Sequence, residues 1–197
     1  MSSIRLAYAM TTTAAEGLPR RCFTVAELEK MTAAGILLED ERLELIGGDI
    51  VPMSPKGKQH EALKAALLAH WYSNRPPEIM LIPETTLRLS KDTYLEPDVV
   101  VYRRSDGLDN LNAETALLVV EIADTSLKYD LDVKTRIYSG FGVDELWVID
   151  AVKLTTRIHR GPTPTGYRSV SDWPASQELV PSRVSDLKLT LSSLDLR

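Results

Sequence analysis

Residues 95–102 (LEPDVVVY) and 117–123 (LLVVEIA) are the two stretches that decide the fold. Each has the apolar, β-branched composition of a buried strand, and each is interrupted by one acid, Asp98 or Glu121. An ionised carboxylate is costly to bury unless it is paired or binds a metal. If the two strands are neighbours, the alternation of side chains brings the carboxylates together near the strand ends. The pattern predicts a site for one Mg²⁺ or Mn²⁺, since these ions take oxygen ligands.

A lysine on the next element extends this site. The spacing predicts a helix over residues 131–139, in which Leu131, Lys134 and Tyr138 share one face. We expect Lys134 at the margin of the buried stripe, where its ammonium can reach the sheet. There it would stabilise negative charge that develops on a phosphate. The alternative is a lysine that extends along its stem to solvent.

The remaining pattern predicts an α/β fold. Thr24 and Glu27 have the spacing of a capping box and predict a helix start, while the glycines in RLELIGGDIVPM (residues 42–53) predict a hairpin. Further elements are predicted as follows: a helix at 59–72, strands at 79–83, 85–89, 97–102, 117–123, 145–150 and 187–191, and a hairpin over 153–170 that turns at 161–164. We expect an N-terminal arm at residues 1–22 and a single domain at 23–197.

Composition narrows the class of protein. The chain has 197 residues and one cysteine, Cys22, so it has no internal disulfide and suits a reducing cytoplasm. It contains no apolar run of about 20 residues and no convincing secretory signal, so we expect a soluble protein without a membrane partner. The net charge of −5 argues against general DNA coating. A metal-dependent nuclease needs only a local basic rim, for which the candidates are Lys56, Lys58, Arg103, Arg104, Lys128, Lys134 and Arg136.

Several motifs together resemble a known family. EPD at residues 96–98, followed by a hydrophobic strand with Glu121, resembles the PD-(D/E)XK nuclease superfamily. More specifically, the order and spacing of several segments resemble the Uma-two family over residues 23–168. These segments are LELIGGDIVPMSP (43–55), His60, EPD (96–98), VVEI (119–122), YDLDVK (129–134) and GVDELWVID (142–150).

This resemblance implies a restriction-endonuclease-like core, with a mixed central β-sheet flanked by α-helices and with extra β-hairpins. It also implies a Mg²⁺-dependent DNA endonuclease that forms a homodimer. By position, Asp98 and Glu121 become the metal ligands and Lys134 the catalytic lysine. The usual lysine two residues after the acid is replaced by Ala123. Lys128 is the competing candidate, in an expected loop before the helix.

Two further residues are possible members of the site. Glu44 lies on a predicted strand and could add an acid to the metal site, although a cross-strand ion pair explains it equally well. His60 begins the first long helix beside the basic loop at residues 56–58. It could contact a phosphate or a metal-bound water, or it could form a local hydrogen bond.

Two other functions fit the same sequence. One is a catalytically inactive nuclease-fold module that binds protein or nucleic acid. The other is a hydrolase of a different substrate, such as a glycosidase with a carboxylate pair. The glycosidase reading requires no lysine beside the acids, so the role of Lys134 separates it from the nuclease.

Overall fold

The computed structural model describes residues 20–38 and 40–196. Residues 1–19 of the predicted N-terminal arm lie outside the described residues. The chain folds into two units. Unit 1 comprises the described residues up to Ser54 together with Thr86–Glu96, and unit 2 comprises Pro55–Thr85 and the described residues from Pro97 onward. The single domain over residues 23–197 stays a prediction.

The described residues form helices and strands in the following chain order. The helical elements are α1 (Val25–Ala33), α2 (Lys58–Asn74), the short α3 (Leu127–Tyr129), a π-helical turn (Asp130–Lys134), α4 (Thr135–Gly140) and 3₁₀ turns at Arg104–Asp106, Leu108–Asn110, Ser185–Leu187 and Leu191–Ser193. The strands are β1 (Leu43–Ile46), β2 (Asp49–Pro52), β3 (Ile79–Pro83), β4 (Leu87–Ser90), β5 (Thr93–Leu95), β6 (Val99–Arg103), β7 (Ala116–Ala123), β8 (Glu145–Asp150), β9 (Thr155–Thr163), β10 (Gly166–Trp173), β11 (Glu178–Leu179) and β12 (Leu189–Thr190).

Unit 1 packs α1 against a small antiparallel sheet with strand order β2-β1-β5-β4. The predicted capping box is confirmed. The Thr24 hydroxyl accepts the Glu27 N–H at 3.3 Å, and the Glu27 carboxylate accepts the Thr24 N–H at 2.8 Å. The predicted hairpin is also confirmed, with Gly47 and Gly48 both at positive φ between β1 and β2. β5 was not predicted, because three residues are too few for a periodic signal.

Unit 2 is built on a sheet with strand order β10-β9-β8-β7-β6-β3. β7 and β8 pair in parallel, and the other neighbouring strands pair antiparallel. The segment with α3, the π-helical turn and α4 connects β7 to β8, so it forms the predicted crossover. The sheet is therefore mixed and accompanied by helices, as predicted from the sequence.

Helix α2 covers part of this sheet with one buried stripe. Leu63, Leu67 and Trp71 are fully buried in the main core of unit 2. His60 and Lys64 lie on the same stripe in the first half of the helix and are also buried. Since residues three and four apart share a helical face, the stripe passes from packing residues to polar ones along a single helix.

Several predicted boundaries were wrong. The strand predicted at 187–191 is reduced to β12, between two 3₁₀ turns, and the strand predicted at 85–89 is β4. The helix predicted at 131–139 begins at Leu127, which extends it by one turn. The hairpin predicted to turn at 161–164 turns at Pro164 and Thr165, since Thr163 pairs with Gly166. Pro162 is tolerated within β9 because the pairing with β8 ends at Arg160, so this end of β9 has a partner on one side only. Within the described ranges, no helix combines the length and apolarity needed to cross a membrane.

Candidate active site

The structure brings Asp98 and Glu121 together. β6 and β7 pair antiparallel with Val99 opposite Val120, and Asp98 and Glu121 are the next residues beyond this pair. Asp98 Oδ2 accepts the N–H of Ile122 at 2.7 Å, which joins the first acid to the residue after the second. The two acidic residues are only 4% and 3% exposed. Two buried acids therefore lie beside the last paired residues of adjacent strands.

Asp98 has two side-chain partners, one in α2 and one in the loop that precedes it. Its Oδ1 lies 2.9 Å from His60 Nε2 and 2.8 Å from Lys56 Nζ. Burial alone raises the pKa of Asp98, but the hydrogen bond and charge of His60, together with Lys56, outweigh it and lower the pKa to about 2. Asp98 is thus held as a carboxylate at neutral pH.

Glu84 adds an acid that the sequence analysis missed. It follows β3 directly, and its carboxylate accepts hydrogen bonds from Lys56 and from Lys64, the latter at 2.6 Å. These two lysines lower the pKa of Glu84 to about 2. Its backbone lies in the left-handed region, with φ of 51°. The four-residue spacing of His60 and Lys64 on α2 was the only local signal for this cluster.

Glu121 has its own set of donors, from the segment after β7. Its Oε1 lies 3.1 Å from Lys134 Nζ and accepts the Tyr138 hydroxyl at 2.6 Å. Lys134 is 4% exposed and also lies 4.0 Å from Asp130 Oδ1. The predicted face with Lys134 and Tyr138 therefore turns toward the sheet, and Lys134 does not extend to solvent.

The π-helical turn brings Lys134 to this position. The Thr135 N–H bonds to the carbonyl of Asp130, five residues earlier, and the Thr135 hydroxyl donates to the same oxygen at 2.8 Å. Such a turn shifts the helical phase within the segment, and π-turns are frequent at functional sites. Lys128, the competing candidate, lies in α3 rather than in a loop and is exposed.

The other predicted residues divide between the two units. His60 belongs to the Asp98 cluster in unit 2. Glu44 belongs to unit 1, where its Oε1 accepts the Glu96 N–H at 3.2 Å, so its membership of the site stays a prediction. Of the residues proposed for a basic rim, Lys56 and Lys134 instead bind the buried acids. The exposed members are Lys58, Arg103, Arg104, Lys128 and Arg136.

The donor chemistry fits a small divalent cation. No group of three or more histidine, cysteine or acidic side chains suited to metal binding occurs among residues 20–38 and 40–196. Mg²⁺ commonly binds through one or two carboxylates and keeps several waters or substrate oxygens as its other ligands. Asp98 and Glu121 match this requirement, whereas a structural zinc site requires four protein ligands.

The fold defines a class of protein. A mixed sheet with a helical crossover between its two parallel strands is the arrangement of a restriction-endonuclease-like α/β protein. The chain belongs to the Uma2 family, described as "Putative restriction endonuclease", whose model matches residues 25–192. No curated protein matches the chain significantly.

The fold of this chain also occurs in a solved structure. The chain is similar to a protein from Anabaena variabilis ATCC 29413 described as "a putative nuclease belonging to DUF820". The TM-score is 0.67 at 20% sequence identity, over 86% of this chain and 96% of the other, which shows a shared fold. The type IIG restriction endonuclease BpuSI matches at a TM-score of 0.37 and 12% identity, over 70% of this chain and 15% of the other, which is too low to bear on the fold.

Proposed function

We propose that this protein is a metal-dependent endonuclease that hydrolyses phosphodiester bonds in DNA. The observation that supports it most directly is the burial of Asp98 and Glu121 just beyond the last pair of β6 and β7, with Lys134 Nζ 3.1 Å from Glu121 Oε1. Family membership adds support, since the family is described in terms of restriction endonucleases. In this account Asp98 and Glu121 hold Mg²⁺ or Mn²⁺.

Each residue then has a defined task. A divalent cation bound by the two carboxylates supplies Lewis-acid polarisation of the phosphate and a water of lowered pKa. Asp98 remains ionised because His60 and Lys56 keep its pKa low. Lys134 provides a fixed positive charge for the negative charge that develops on phosphate oxygens. Tyr138 and Lys134 both bind Glu121 Oε1, so they orient this carboxylate.

Cleavage of plasmid DNA in the presence of Mg²⁺ or Mn²⁺ tests the proposal. We expect Asp98→Asn, Glu121→Gln and Lys134→Met each to reduce the cleavage rate by about 10²-fold or more, since each removes a charge that acts on the transition state. Lys128→Met is the matched control, because Lys128 is an exposed lysine in the same helical segment. We expect it to retain activity.

The outcomes separate the candidate functions. Full activity of Lys134→Met would remove the proposed role of this lysine and favour another hydrolase chemistry. Absence of cleavage by the wild-type protein, together with DNA binding, would favour the inactive nuclease-fold module. Metal-independent cleavage that survives Asp98→Asn would contradict the proposed site.

The assembly and location are proposed with the function. We propose a homodimer, because two sites are needed to cleave both strands of a duplex in one encounter. We also propose a cytoplasmic protein, for which the support is the single cysteine, Cys22.

A further inference from the structure

Lys56 binds two acids, Asp98 and Glu84, beside the start of α2. Its ammonium lies 2.8 Å from Asp98 Oδ1 and also donates to Glu84. The Lys56 side chain is only 12% exposed, so water screens this contact weakly. The ammonium therefore neutralises the same carboxylate that the proposed function assigns to a divalent cation.

Two cations cannot occupy one carboxylate oxygen at close range, because their mutual repulsion is strong where water is largely excluded. We propose that Lys56 is a built-in competitor of the metal, which binds Asp98 when no divalent cation is present and must leave it for the cation to bind. This inference rests on the proposed function, since it assumes that Asp98 is a metal ligand.

The structure explains why Lys56, rather than His60, is the exchangeable partner. His60 is fixed within α2 and its side chain is 4% exposed. Lys56 lies in the loop that precedes α2, on a long flexible stem. It already binds Glu84, whose side chain is 43% exposed, so it can leave Asp98 without losing every partner. Glu84 therefore acts as the second anchor of the lysine.

Lys64 provides a matched control for this role. Its ammonium binds Glu84 Oε1 at 2.6 Å and Glu61 at 2.8 Å, and its side chain is 11% exposed. Lys56 and Lys64 thus share an anchor and a degree of burial, while the contact with Asp98 distinguishes Lys56. A general effect of removing positive charge from the cluster would appear in both variants.

Titration calorimetry of the full chain with Mn²⁺ tests the competition. We expect Lys56→Met to bind Mn²⁺ about tenfold more tightly than the wild type, because a charge-assisted hydrogen bond no longer has to be broken. Lys64→Met should bind Mn²⁺ with nearly the wild-type affinity. Lys56→Arg, which restores the charge, should return the affinity toward that of the wild type. Lys56→Gln gives a second neutral variant if Lys56→Met does not fold.

Thermal denaturation gives an independent reading. Without metal, Lys56→Met should melt below the wild type, because Asp98 loses a partner, while Mn²⁺ should raise its melting temperature by more than it raises that of the wild type. Unchanged or weaker Mn²⁺ binding by both neutral variants would overturn the inference, as would equal tightening by Lys64→Met. Failure of the wild type to bind Mn²⁺ would instead overturn the proposed function.

Discussion

Glu121 carries its charge inside the core of unit 2, so its neighbours decide whether that charge can be maintained. Lys134 and Tyr138 both bind Oε1, one through a full positive charge and one through a hydroxyl. An unpaired buried carboxylate is much more costly than a paired one. The two donors on one helical segment therefore stabilise the fold and orient the acid at the same time.

Removing the hydroxyl of Tyr138 should lower the stability of the protein measurably. We expect Tyr138→Phe to lower the free energy of unfolding by about 1–3 kcal/mol, since a hydrogen bond to a buried charged group is lost. Tyr72→Phe is the control, because the hydroxyl of this exposed tyrosine donates to the Leu81 carbonyl at 3.2 Å. Urea denaturation should give a loss below about 1 kcal/mol for the control. Equal losses in both variants would contradict the special role of the bond to Glu121.

A buried histidine in unit 2 predicts a dependence of stability on pH. His159 is 4% exposed, and burial, followed by the charge of Arg157, lowers its pKa to about 4. Between pH 6.5 and pH 4 the unfolded chain binds a proton that the native state does not, so stability falls as the pH falls through this window. Between these two pH values, we expect protonation of His159 to lower the free energy of unfolding by an amount on the order of 2 kcal/mol.

The variant His159→Phe tests whether His159 causes the fall of stability with falling pH. It keeps an aromatic ring against Tyr167 and cannot titrate. Urea denaturation at several pH values should show a shallower decline for the variant than for the wild type between pH 6.5 and pH 4. Parallel curves for the two proteins would show that His159 is not the group responsible.

The residues of the site differ in how far the sequence could predict them. The burial of Asp98 and Glu121 and the inward position of Lys134 were predictable because strand alternation and helical spacing are local patterns; their catalytic role stays a prediction. The contacts of Lys56 with Glu84 and Asp98 span 28 and 42 residues, and no periodic signal covers such separations. Lysine and glutamate at loop positions are also ordinary surface residues, so the burial of Lys56 and its pairing with Glu84 and Asp98 could be found only from the fold.

At the level of whole elements, boundaries were harder to predict than existence. The capping box, the first hairpin and the crossover between β7 and β8 have strong local signals, and all are present. The π-helical turn at Asp130–Lys134 has no sequence signature in a single chain, since such turns are rare single-turn features within α-helices. The spacing of Lys134 and Tyr138 was nevertheless sufficient, because both residues lie at or beyond the end of the turn.

Strand β8 begins with a buried acid whose role was not predicted from the sequence. Glu145 begins this strand, is fully buried, and accepts hydrogen bonds from Trp147 and Arg160, each at 2.7 Å, and from Ser182. It thereby joins β8 to β9 and to the segment after β11. A charged residue at the start of an apolar strand resembles a solvent-exposed end, which is why this role could not be predicted.

Loss of Glu145 should therefore be costly. We expect Glu145→Ala to lower the free energy of unfolding by about 3 kcal/mol, because Arg160 would remain partly buried without its counter-charge. Glu178→Ala is the matched control, since Glu178 forms an exposed ion pair with Lys188, and we expect a loss below about 1 kcal/mol. Chemical denaturation measures both. A loss for Glu145→Ala as small as that of the control would contradict the account of β8.

For the molecule as a whole, charge and assembly bear on the proposed action on DNA. The net charge of −5 disfavours nonspecific binding to phosphate, so the proposed contact with DNA would depend on the exposed basic residues near the site elements. Lys58 begins α2, and Lys128 and Arg136 lie on the segment that carries Lys134. A second copy of the chain would double this limited basic surface.

Light scattering measures the proposed assembly directly. We expect a mass close to twice the 21.9 kDa of the chain at micromolar concentration. We expect a dimer because two paired sites would allow both strands of a duplex to be cleaved. A mass equal to one chain across the concentration range of the cleavage assay would contradict the homodimer and would predict nicking of single strands only.

In the proposed function, Asp98 and Glu121 share one divalent cation. Anomalous diffraction from crystals soaked in Mn²⁺ locates such an ion without any assumption about activity. We expect a Mn²⁺ peak with both carboxylates among its ligands, and loss of that peak in Asp98→Asn. A Mn²⁺ peak on other residues, or none at a concentration that saturates binding in solution, would contradict it.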